Sequence, residues 1–147
     1  MDHEATLRGV AVTEDAAGDD DVPAVILDVR DEVLPVFVTD DQARSIQMAL
    51  AAETFERPLT HDLFVELLTE FGGVVDAVRI DDLTDGTFYG KLTVERYREG
   101  ERSTLTFDVR PSDAIAIATR VDAPIHVAES VVDAAGQPTD TVTFEDE

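Results

Sequence analysis

Two short segments, Arg57-Pro58-Leu59-Thr60-His61-Asp62 and Arg110-Pro111-Ser112-Asp113, each gather a guanidinium, a proline, a hydroxyl and a carboxylate just ahead of an apolar helical pattern. Proline fixes its own φ and drives the residue before it into an extended conformation, so each Arg should close an extended stretch while its Pro leads into a helix. The Arg side chain then lies near free backbone N–H groups and the positive end of the helix dipole. A planar guanidinium fork at that place suits phosphate or carboxylate. An architectural reading stands beside the anion site. Thr60 is a natural N-cap, Asp62 and Asp113 belong in the first turn of a helix, and Arg57 and Arg110 could simply pair with them.

The elements that would carry these segments can be read from periodicity. Ala5 to Val12 alternates as a first strand, followed by an acidic loop from Thr13 to Val22 containing Asp19-Asp20-Asp21. Nothing in that run fixes ligand geometry, and it reads as solvated rather than as a cation site. Ala24 to Val29 and Val33 to Val38 form a hairpin around Arg30-Asp31-Glu32. A helix capped by Thr39 or Asp40 runs to about Glu53, with Ala43, Ile46, Ala49 and Leu50 on one face. The second helix follows Thr60, carries Leu63, Phe64, Leu67, Leu68 and Phe71, and stops at Gly72-Gly73. Val74 to Asp81, Thr87 to Tyr97 and Arg102 to Val109 make an antiparallel meander through turns at Asp85-Gly86 and Glu99-Gly100. The third helix, Pro111 to about Arg120, is apolar nearly all round and should be buried on more than one side. A short strand at Pro124 to Val127 and a last helical turn or two from Ala128 to Ala134 complete the pattern. The expectation is one α+β domain over residues 1–135, a mostly antiparallel mixed sheet with about three helices packed on it. An acidic C-terminal tail, 136–147, follows, in which Thr141 to Phe144 could add an edge strand.

Composition narrows the setting. With 147 residues the chain is long enough for one well-buried core. The absence of cysteine excludes disulfides, thiolate metal sites and thiol nucleophiles, and fits a reducing interior. Asp2, His3 and Glu4 stand where a signal peptide would carry its basic region, and no apolar run is long enough to span a bilayer. Cytoplasm is therefore the expected location, without membrane attachment. There are 33 acidic residues, 20 of them Asp, against 10 Arg and the lone Lys91, for a net charge of −22. The hydrophobic fraction, 44%, is too high for a disordered acidic chain. A folded surface of this kind suits molar salt, where the Debye length falls to about 3 Å and self-repulsion is screened.

Taken as a set, several blocks resemble the bifunctional nuclease (BFN) domain family: Leu34-Pro35-Val36-Phe37-Val38, Arg57 to Leu63, Val78 to Leu83, Gly86-Thr87-Phe88-Tyr89-Gly90, Asp108 to Ala116, and Ala123-Pro124-Ile125-His126-Val127. They occur in the family's order and cover roughly residues 5 to 133. The resemblance implies a compact α+β fold, homodimers or higher homo-oligomers, and cleavage of both RNA and DNA, an activity tied to plant members. It brings no settled list of catalytic residues. Gly90 stands where the family more often has Ala, and Val109 where Ala commonly precedes Arg-Pro; neither departure removes a polar group.

Phosphodiester hydrolysis needs an activated nucleophile, stabilisation of the charge that builds on phosphorus, and an acid for the leaving oxygen. His61 is the candidate acid or base, with Asp62 to orient it and Asp113 as a further catalytic carboxylate. Arg57 and Arg110 are candidate phosphate clamps, helped by Thr60 and Ser112. Asp113, with Asp81 or Asp82, could hold a divalent ion such as Mg²⁺ or Mn²⁺. Each has a plainer counterpart: a structural hydrogen bond for His61, a turn for Asp81-Asp82. His126 should be partly buried and His3 mobile, and Tyr89 should serve a subunit contact. Two further classes stay open, a non-enzymatic oligomeric binding or regulatory module and a small-anion-binding protein. The catalytic reading requires Arg57, His61, Arg110 and Asp113 to converge in one pocket.

Overall fold

The computed structural model describes residues 1–13, 22–52 and 59–139. The Asp19-Asp20-Asp21 run, Arg57, Pro58 and Thr141 to Phe144 lie outside them. In chain order the elements are β1 (Asp2–Thr13), β2 (Val22–Val29), β3 (Glu32–Phe37), α1 (Asp40–Leu50), α2 (Thr60–Glu70), β4 (Gly73–Thr84), β5 (Thr87–Arg98), β6 (Glu101–Val109), α3 (Pro111–Val121), β7 (Ile125–Ala128) and α4 (Glu129–Ala135). The fold is α+β, a single domain.

Seven strands form one sheet in the order β3-β2-β1-β7-β4-β5-β6. Every neighbouring pair is antiparallel except β4 with β7. The three expected tight turns are present. Arg30 and Asp31, Asp85 and Gly86, and Glu99 and Gly100 all adopt positive φ, as two-residue hairpins matched to the right-handed twist of their strands require. β1 is longer than its apolar alternation suggested because it serves two partners. Asp2 to Ala5 pair with β7, and Thr6 to Thr13 pair with β2 across an irregularity between Leu7 and Gly9. His3 is thereby held in the sheet and reaches Glu129 Oε1 at 3.4 Å, so the expected mobility is corrected. His126 is half-buried, and Tyr89 is exposed.

The helix count rises from about three to four, since Glu129 to Ala135 forms a full element with Val131 and Val132 buried. Just past it, Gln137 exchanges both backbone hydrogen bonds with Val33, at 2.7 and 2.8 Å, which ties this part of the chain to β3. The core is built from Val25, Leu27, Leu34, Ile80, Leu92 and Val127 of the sheet against Ile46 of α1 and the run Ala114 to Ala118 of α3. The three alanines in that run let the α3 backbone lie close to its neighbours, so α3 is the buried base on which α1 and α2 rest.

Candidate functional site

Three helices meet at the polar cluster. α1 begins with a complete capping box: Gln42 N–H donates to Thr39 Oγ1 at 3.3 Å and Thr39 N–H donates to Gln42 Oε1 at 2.8 Å. One turn later on α1 stands Ser45. α2 is capped differently from the sequence expectation. Leu59 occupies the N-cap, its N–H donating to Asp62 Oδ2 at 3.1 Å, while Thr60 is the first helical residue and is exposed. A carboxylate in the first turn has taken the capping work that a Thr60 hydroxyl would otherwise do. α3 starts as the Arg-Pro pattern requires, with Arg110 extended at φ −70°, ψ 142° and Pro111 in the first turn.

His61 spans the gap between the helices. Its Nε2 lies 2.8 Å from Asp113 Oδ1 and its Nδ1 lies 2.7 Å from Ser45 Oγ. Arg110 grips the same carboxylate, donating through Nε to Asp113 Oδ2 at 2.7 Å and through Nη2 to Oδ1 at 3.2 Å. Burial pushes the Asp113 carboxyl upward, but the hydrogen bonds and charge of Arg110, then of His61, outweigh it and hold the group below its ordinary value. The same pairing raises Arg110 above the usual arginine value. An ionised Asp113 can only accept, so Nε2 of His61 carries a proton; in the neutral ring Nδ1 is then the acceptor, filled by the Ser45 hydroxyl. Arg120 closes the back of the cluster. It donates to Asp62 Oδ1 at 2.7 Å, to Ala116 O at 2.9 Å and to Ser45 Oγ at 3.2 Å, from a side chain only 8% exposed.

Of the residues singled out in the sequence, His61, Arg110 and Asp113 converge, and Arg57 lies outside the described residues. Asp62 does not orient His61; Asp113 does. Successive helical residues point about 100° apart, so the carboxylate next in sequence faces Arg120 instead. Ser112 is buried and lines a cleft of about 300 Å³ with Gln42, Phe88 and Arg110. A second cleft, of about 640 Å³, is lined by Asp81, Asp82, Tyr89, Lys91 and Asp108, and shares Thr87, Phe88, Arg110 and Pro111 with the first. Arg110 therefore stands between two clefts with its side chain 67% exposed.

The carboxylates expected to hold a metal are differently employed. Asp82 accepts from Leu83 N–H at 2.9 Å and Thr84 Oγ1 at 3.1 Å, the turn role. Both Asp113 oxygens are engaged by Arg110 and His61. Asp81 keeps one buried oxygen, Oδ1, without a hydrogen bond among the described residues, and its other oxygen lies 3.9 Å from Arg79 Nη1. Among the described residues no three His, Asp or Glu side chains are grouped as a metal would need.

Ser45 and Arg120 were not singled out in the sequence. Arg120 is the basic residue closing α3, two turns after Asp113 and so on its face; Ser45 is a hydroxyl beside the apolar stripe of α1. Neither position announces a contact across 16 or 75 residues of chain.

A model of the bifunctional nuclease domain matches residues 25–140, which include every element of this cluster. The chain belongs to that family. Among relatives, an uncharacterized protein of Mycobacterium tuberculosis is 39% identical over 106 residues, 72% of this chain and 60% of its own length. Bifunctional nuclease 2 of Oryza sativa subsp. japonica is 30% identical over 112 residues, 74% of this chain and 34% of that protein. Bifunctional nuclease 1 of Arabidopsis thaliana is 28% identical over 108 residues, 71% of this chain and 33% of its own length. The match to this bifunctional nuclease domain thus spans about a third of the plant proteins. No described helix is long and apolar enough to cross a membrane.

Proposed function

We propose that this domain hydrolyses phosphodiester bonds of RNA, DNA or both, at the junction of α1, α2 and α3. The observation that carries the reading is the bridge from His61 to Asp113, with Arg110 on the same carboxylate beside two clefts. Family membership and the names of the plant relatives support it. Arg110 spends Nε and one Nη2 hydrogen on Asp113, which leaves further donors for a phosphate oxygen. Phe88, on the wall shared by both clefts, offers an aromatic surface for a base, while the exposed Tyr89 is kept for a subunit contact. His61 is the group that handles the proton, through Nδ1, and Asp113 on Nε2 holds the imidazolium that results. Mg²⁺ or Mn²⁺ stays in the proposal as a cofactor that EDTA would remove, but the described residues gather no set of three ligands for it and no proton-transfer step runs through it.

The proposal also places the protein in the cytoplasm of a salt-loving cell. Copies would associate through the exposed stripe of Leu63 and Leu67 on α2 and Phe71 just after it. A second reading, a non-catalytic binding module, draws on the internal pairing of Arg110 with Asp113 and of Arg120 with Asp62. The experiment that separates them is cleavage of labelled single- and double-stranded RNA and DNA in molar KCl, with Mg²⁺, Mn²⁺ or EDTA. The nuclease reading expects cleavage that falls roughly 10²–10⁴-fold in a folded His61→Ala variant. Equal cleavage by both proteins, or none by either, would leave the binding module. Loss with EDTA would bring the metal into the reaction.

A further inference from the structure

Both ring nitrogens of His61 are engaged by neighbouring side chains. Nε2 is occupied by Asp113 and Nδ1 by Ser45, so the group in contact with the basic nitrogen is a serine hydroxyl, 2.7 Å away. The contacts run serine, histidine, aspartate, the order of a hydrolase triad, with the two ring nitrogens exchanged. Ser45 is half-buried on α1, a helix whose rotation is fixed by the buried Ala43, Ile46 and Met48. Arg120 Nη2, 3.2 Å from Oγ, adds a fixed positive charge where an alkoxide would develop. Oγ gives its hydrogen to Nδ1 and one lone pair to Arg120, which leaves a second lone pair for attack.

We propose that Ser45 is the nucleophile of this site, attacking phosphorus while His61 Nδ1 removes its proton. The substrate class, a phosphodiester, rests on the nuclease reading above; the nucleophilic serine rests on the geometry. In the first step the Oγ–P bond forms and the P–O bond to the leaving alcohol breaks. The Oγ proton passes to Nδ1 and from there to the leaving oxygen. A phosphodiester to Ser45 remains. Water then attacks that phosphorus, gives a proton to Nδ1, and the proton returns to Oγ as the Oγ–P bond breaks. Asp113 keeps its hydrogen bond to Nε2 throughout and holds the imidazolium in both halves. Nothing in the sequence around Ser45 signals this, because the three residues come from three helices.

Diisopropyl fluorophosphate tests the nucleophile without relying on nucleic acid as substrate, since attack on phosphorus expels fluoride and leaves a stable adduct. Intact mass and peptide mapping of the wild-type protein in molar KCl should find one adduct per chain, on Ser45. Ser45→Ala should take none, and His61→Ala should react roughly 10²–10⁴-fold more slowly, with circular dichroism confirming matched folding. A structural hydroxyl would not be labelled. Wild type without an adduct at Ser45, or His61→Ala labelled at the wild-type rate, would overturn the proposal. Cleavage of RNA or DNA by Ser45→Ala at the wild-type rate would overturn it too, while leaving the nuclease reading intact. Labelling of Ser45 in a protein that cleaves no nucleic acid would uphold the nucleophile and overturn the substrate class.

Discussion

Arg120 is the most informative residue to remove, because one side chain satisfies a group on each of the three helices. Its side chain is 8% exposed, and the guanidinium supports Asp62 of α2, Ser45 of α1 and the Ala116 carbonyl of its own helix. Arg120→Met keeps much of the apolar stem and removes all three bonds. Deleting one partner of a buried ion pair typically costs about 3–5 kcal/mol. Asp62 is 41% exposed and keeps its bond from Leu59 N–H, so water can rehydrate it and the cost should be smaller. We expect about 2–3 kcal/mol, read as a lower guanidinium chloride midpoint in molar KCl at unchanged slope, and a fall in melting temperature of roughly 4–12 °C. Arg120→Lys should recover only part, since an ammonium cannot present a planar fork to three acceptors. In a cycle with Asp62→Asn the two changes should couple by at least about 1 kcal/mol. A loss below about 0.5 kcal/mol for Arg120→Met, or strict additivity with Asp62→Asn, would refute the view that this arginine holds the three helices together.

Further expectations follow from other parts of the fold. Gly72→Ala should lower stability by more than about 1 kcal/mol, since Gly72 has φ +81° and a Cβ there would lie 2.8 Å from the Tyr97 carbonyl oxygen; an unchanged denaturation midpoint would contradict the strand-entry geometry. Asp113 is held below its ordinary value by Arg110 and His61 against the upward push of burial, and Asp2 by Arg79. The folded state therefore binds fewer protons than the unfolded chain near the ordinary aspartate value of about 3.9, and this stabilisation is complete above that pH and lost as pH falls below it. Acid titration of stability should accordingly be shallower in Asp113→Asn, and an unaltered acid limb would show that the contacts contribute nothing. With a net charge of −22 on 147 residues, melting temperature should rise between low and molar KCl, and a flat profile would refute the salt-adapted reading.

Much of the scaffold was legible because it is written locally. Asp85-Gly86 and Glu99-Gly100 set two hairpins by backbone preference alone, and the apolar run Ala114 to Ala118 announced a buried helix. The Arg-Pro starts likewise placed His61, Arg110 and Asp113 at helix beginnings, and the fold brings those beginnings together. What escaped was contact between elements. Asp62 adjoins His61 in sequence, yet helix geometry turns it towards Arg120, while Asp113 arrives from 52 residues away. Thr60 has every property of an N-cap, but Asp62 captured the Leu59 N–H instead. Ser45 carries no neighbourhood signal, being one hydroxyl on an ordinary amphipathic helix whose partners come from α2 and α3. The second partner of β1 was equally hidden, since pairing of Asp2 to Ala5 with β7 depends on a strand more than a hundred residues later.

The central claim is that His61 and Asp113 act as one proton-handling unit on a phosphodiester, and kcat/KM for a labelled oligonucleotide tests it most directly in wild type, His61→Ala, Asp113→Asn and the double variant. If the pair works as a unit, each single change should remove most of the rate and the double variant should be no slower than His61→Ala. Losses that multiply in the double variant, or wild-type cleavage by either folded single variant, would contradict the account and return the cluster to a purely architectural role.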